Sequence, residues 1–153
     1  MNKFMCRRYL LFCVSLFVNA LGIAFITKAA LGTSPITSVT YVLSMFTPFT
    51  IGQWTILLNL LFVILELFLM TREDLKSDLR MYLLQIPISF CFGMFIDLCM
   101  HYILFWLNPV EYVYMIVALL IGCVILAVGI ALEVKANAAM MAGEYFVKVI
   151  TRR

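Results

Sequence analysis

The chain has 153 residues, 65% of them hydrophobic and 12% charged, with a formal net charge of +3 and a mean hydropathy of +1.10. A water-soluble domain could not cover so much apolar surface, so the composition reads as a polytopic membrane protein. Nucleic acid is not an expected partner, because the Lys and Arg residues gather at the ends of apolar segments, where they orient a chain in the lipid bilayer.

Lys3, Arg7 and Arg8 precede an uncharged run over residues 9–27, closed by Lys28. The run is longer than the apolar part of a signal peptide and no small-x-small cleavage site follows, so it is expected to be retained as the first spanning helix. Asn19 lies near its middle, where a carboxamide should face other helices rather than lipid. Ala20, Gly22 and Ala24 form a small-residue stripe suited to close helix contact. The helix stops at Leu31-Gly32-Thr33-Ser34-Pro35. Gly32 permits a turn that other residues resist, Pro35 suits the first turn of a new helix, and Thr33 or Ser34 can cap that helix. The next segment, residues 36–46, is too short and too rich in Thr and Ser to cross, and is expected to be re-entrant or interfacial.

A second span covers residues 51–70, with Thr55, Asn59 and Glu66 on one face and Glu66 within reach of the headgroups. Residues 71–80 hold three basic and three acidic side chains and read as a loop. A third span over 81–106 carries Gln85, Ser89, Gly93, Asp97 and His101 at every fourth position, with a kink expected at Pro87. Asn108-Pro109 predicts a turn between the interfacial anchors Trp106 and Tyr112. A fourth span follows over 112–132, with Ala118, Gly122 and Gly129 as its small residues. Beyond Glu133, Lys135 and Asn137 a second short amphipathic helix is expected over 140–150. The fold class is therefore all-α: four transmembrane helices plus two short re-entrant or interfacial ones, in one domain over residues 1–153.

With the amino terminus in the cytoplasm and residues 36–46 not crossing, ten of the eleven basic residues lie inside and only Lys28 outside. That asymmetry sets the expected orientation in the membrane. The end of the first span, GIAFITKA (residues 22–29), also recurs as GIALEVKA (residues 129–136), with five identities in eight. Each string precedes a short segment, and the predicted orientations are opposite. This is the signature of an inverted-topology repeat, with a first copy over residues 8–107 and a partial second over 112–153.

Gly22-Ile23-Ala24, Ala29, the LGTSP string from Leu31 to Pro35, Ile51, Gly52, Trp54, Asn59, Gln85-Ile86-Pro87, Gly93 and Asp97 together resemble the YczE/YyaS/YitT group of bacterial integral membrane proteins. That group's second break often reads Pro-Gly-Glu, where this chain has Ala142-Gly143-Glu144. Its members continue for further helices, so the resemblance implies a truncated member or one that completes its fold with a second copy. Transport is the activity usually supposed for the group.

The strongest candidate site is the break at Gly32, Thr33, Ser34 and Pro35, whose new helix would present free amides to an anionic or polar solute, with Gly143 and Glu144 as its counterpart. Asn19 and Asn59 are read as interhelical hydrogen-bond partners, Gln85 as part of a polar stripe, and Asp97 with His101 as a proton-relay pair or wet interfacial residues. Glu133 is either a coupling group or the marker of the cytoplasmic end of its helix. Five scattered cysteines read as free thiols. No catalytic motif, metal-ligand set or cofactor motif is recognisable, so an enzyme is not expected. The expectation is a small-solute carrier, with a non-transporting membrane scaffold as the alternative and self-association possible for either.

Overall fold

The structure, a computed structural model, describes residues 3–69, 72–107, 110–136, 143 and 151. Among these residues there are five α-helices and no strand: α1 (Lys3–Lys28), α2 (Pro35–Phe46), α3 (Ile51–Leu69), α4 (Arg72–Leu98), which ends in a π-turn over Cys99–Ile103, and α5 (Tyr112–Ala136). All but α2 are long and apolar enough to cross a membrane. At 12 residues α2 is only about 18 Å long, against a hydrocarbon layer of about 30 Å. Its buried side chains are Thr37 and Thr40, while Ile36, Val39, Val42 and Phe46 are exposed. The apolar face looks outward, as suits a helix that meets lipid on one side and a polar interior on the other.

α1 and α5 touch at backbone distance because small residues leave room for it. A Cβ placed on Gly22 would lie 2.9 Å from Leu126 Cα, one on Gly122 3.0 Å from the Ile26 amide nitrogen, and one on Gly129 2.9 Å from the Asn19 amide nitrogen. The partner number falls on α5 as the residue number rises on α1, so the two helices are antiparallel. The register that equates Gly22 with Gly129 also equates Asn19 with Leu126. Each glycine of the repeated string therefore rests on the residue equivalent to the other's contact.

α3 and α4 are likewise antiparallel, with Gly52 against Gly93 at one end and Tyr82 bonded to the Val63 carbonyl at the other. Phe12, Leu16, Ala20 and Ala24 of α1 meet Phe92 and Ile96 of α4 in the apolar core, and Phe17 meets Phe95 edge to face at 5.6 Å.

Three sequence expectations are corrected. Residues 72–80 are not a loop but the first turns of α4; the segment is built of helix formers such as Glu, Leu, Lys and Arg, with no Gly or Pro to stop it. α5 continues through Glu133 and Lys135 to Ala136, where the Arg8 guanidinium donates from Nε to the last carbonyl at 3.0 Å. The third span ends not at Trp106 but at the π-turn, closed by the Leu104 amide on the Cys99 carbonyl at 2.9 Å. Pro87 does not interrupt α4 and lies on its exposed side.

Candidate functional site

The chain leaves α1 through Ala30, held at φ 55°, and Gly32, at φ 147°, two turn geometries that let it fold back toward the bundle. Ser34 is the N-cap of α2, accepting from the Thr37 amide at 3.4 Å and sharing a hydrogen bond with the Thr37 hydroxyl at 2.8 Å. Pro35 has no amide hydrogen, and the Ser38 amide is taken by the Ser34 carbonyl at 2.8 Å. Of the amides a helix start normally leaves open, those of Ser34 and Ile36 have no hydrogen-bond partner among the described residues. The Thr33 hydroxyl is buried without a partner among the described residues.

Ser34 opens onto a cavity of 240 Å³ in the bundle interior. Asn19 and Ile23 of α1, Thr37 and Thr40 of α2, Thr55 and Asn59 of α3, Phe92 and Ile96 of α4, and Leu126 and Ile130 of α5 line it, and Gly143 closes one side. A Cβ on Gly143 would lie 3.3 Å from Ile36 Cδ1. The two predicted breaks, represented by Ser34 and Gly143, thus border one space; Glu144 lies outside the described residues. The Thr40 and Thr55 hydroxyls donate to carbonyls of their own helices. Asn59 makes no side-chain hydrogen bond among the described residues, so its carboxamide is the group best placed to meet a guest. Among the described residues no lining side chain is charged. Sequence reading names Thr55 on the face of Asn59 but neither Thr37 nor Thr40, although the Thr-rich short segment carries the signal.

Asn19 does pair between helices. Its Nδ2 donates to Glu133 Oε2 of α5 at 2.8 Å, with both residues buried. Glu133, in the last turn of α5, is thereby a buried partner of Asn19. Gly129 stands directly against Asn19 Oδ1, and any larger residue would push the carboxamide away.

Asp97 and His101 are not brought together. The π-turn shifts the helix register between them, His101 is exposed, and the Asp97 carboxylate turns toward α3. There it accepts from Thr50 Oγ1 at 2.6 Å and from the Gly52 amide at 2.9 Å, capping the start of α3. Glu66 does not reach the headgroups. It is buried against Gln85, because α4 runs alongside α3 to its end. Sequence spacing had placed Glu66 on the face of Asn59 but gave no sign of what would cover it.

The chain matches a family of unknown function (DUF6198) over residues 6–153 and belongs to that family. No curated protein and no solved structure matches it.

Proposed function

We propose that this DUF6198 protein is a multi-pass inner-membrane carrier for a small polar solute, bound in the cavity between Ser34, Thr37, Asn59 and Gly143. The observation that carries the reading is a chamber of uncharged hydrogen-bonding groups, set inside an apolar bundle where a broken helix begins. Isolated polar groups in such a place are costly and mark solute pathways. At 240 Å³ the chamber lies just below ligand pockets of about 300–1,000 Å³, which suits a solute of few atoms. The capped start of α2 and the lack of a basic lining residue among the described residues favour a neutral or zwitterionic solute over a simple anion.

Antiparallel α1 and α5 support the topology. If α2 crossed the membrane, α5 would be the fifth crossing and would run parallel to α1. The equivalent contacts of Gly22 and Gly129 support the inverted repeat, and the resemblance of the Leu31-Gly32-Thr33-Ser34-Pro35 break to the YczE/YyaS/YitT group supports transport.

The test is a panel of small polar solutes, read first as a rise in thermal stability of the purified protein and then as flux into proteoliposomes. A solute at about a hundred times its Kd should stabilise by about 2.7 kcal/mol. Asn59→Leu should abolish that response while the protein stays folded. If no solute stabilises or crosses, or if Asn59→Leu responds like the wild type, the carrier reading fails. Stable co-purification with one membrane partner would then favour the scaffold. Cysteines introduced at Ser38 and Glu144 that label from the same side of the membrane would count against the inverted repeat.

A further inference from the structure

A second polar centre lies outside the cavity. Glu66 follows Asn59 by two turns of α3, about 10 Å along the helix. It is 0% exposed, and Gln85 of α4 is 1% exposed. The Gln85 carboxamide is the polar group that acts on the Glu66 carboxylate. Even so, Glu66 Oε1 and Oε2 and Gln85 Oε1 and Nε2 all lack a hydrogen-bond partner among the described residues.

Among the described residues no countercharge faces Glu66. Tyr82 of α4 faces Glu66, but its hydroxyl donates to the Val63 carbonyl at 3.1 Å. α2, on the other flank of α3, carries no charged residue, and Tyr41 is its one titratable group. An ionised carboxylate enclosed in this way would be strongly disfavoured. One proton resolves all four atoms at once. A neutral Glu66 donates its O–H to Gln85 Oε1, and Gln85 Nε2–H donates to the other carboxyl oxygen, closing a two-bond ring of acid and amide.

We propose that Glu66 and Gln85 form a proton-binding site inside the membrane domain, occupied at neutral pH. Binding adds one proton from the aqueous phase to the carboxylate, and no other bond is made or broken. The site stands whether or not the cavity carries a solute.

The experiment is infrared spectroscopy of the protein in lipid vesicles at neutral and at alkaline pH. The wild type should show a carboxylic-acid C=O band at neutral pH that is missing in Glu66→Gln and shifted in Gln85→Leu, where the amide bond to it is gone. Glu66→Gln should unfold at the wild-type temperature, because a neutral amide can pair with Gln85 as the neutral acid does, whereas Glu66→Ala should unfold at a lower one. Loss of an ionised-carboxylate band in Glu66→Gln, with or without dependence on sodium, would overturn the proposal. So would a C=O band indifferent to Gln85→Leu, or a Glu66→Gln protein that unfolds well below the wild type.

Discussion

The carboxylate of Asp97 holds the backbone amide of Gly52 at 2.9 Å, so the end of α4 caps the start of α3. Its second oxygen takes the Thr50 hydroxyl. The negative charge also sits where the α3 dipole favours it. Asp97→Ala should therefore lower stability by about 2–3 kcal/mol, the range for a lost hydrogen bond to a charged group plus the uncapped amide. Thermal unfolding in detergent would measure it. His101→Ala, on the exposed turn just beyond, should stay within about 0.5 kcal/mol of the wild type.

Gly129→Ala should be among the most damaging single changes in the protein. The new methyl would meet Asn19 Oδ1 and lie 2.9 Å from the Asn19 backbone nitrogen, which cannot yield without parting the helices. Overpacking costs of about 1–3 kcal/mol are a lower bound there. Gly22→Ala should behave alike, since its neighbour is also backbone. Folded yield and unfolding temperature that stay at wild-type values in both variants would contradict the packing described.

The Asn19–Glu133 bond can be isolated by a double-mutant cycle with Asn19→Ala and Glu133→Ala. Interhelical hydrogen bonds in membranes average about 0.6 kcal/mol and reach about 1.7. Burial places this one toward the upper end. A coupling indistinguishable from zero would mean that the pair contributes nothing.

Ala30→Gly should stabilise the protein by up to about 1 kcal/mol. Ala30 occupies the left-handed conformation that ends α1, a position glycine fills without a steric penalty. Gly32→Ala should do the opposite. There is open space for the methyl, so any loss of stability would report backbone strain alone.

The fold was legible in the sequence where local chemistry decides it. The Leu31-Gly32-Thr33-Ser34-Pro35 break is written in its own residues, and Ser34 caps α2 as its type and position suggest. Sequence failed where partners are distant in the chain. Asp97 was open to two readings, relay group beside His101 or wet interfacial residue, because helical spacing ignores the π-turn, and nothing nearby announces that its partner is Gly52. Glu66 looked like a headgroup contact because the charged residues 72–80 read as a loop. The antiparallel register of α3 and α4 brings Tyr82 and Gln85 alongside Glu66, which is buried there. Asn19 was correctly read as a bonding residue, but Glu133 became its partner only through the antiparallel register of α1 and α5.

That register has a consequence during biosynthesis. Asn19 leaves the ribosome 114 residues before Glu133. At about 5–20 residues per second, roughly 6–23 s pass before its acceptor exists. Throughout that interval the first helix must sit in the membrane with an unmatched carboxamide and an uncovered glycine face. Insertion of the last described helix is then the locking event of assembly, and a nascent chain halted before Glu133 would be the form a quality-control protease should recognise.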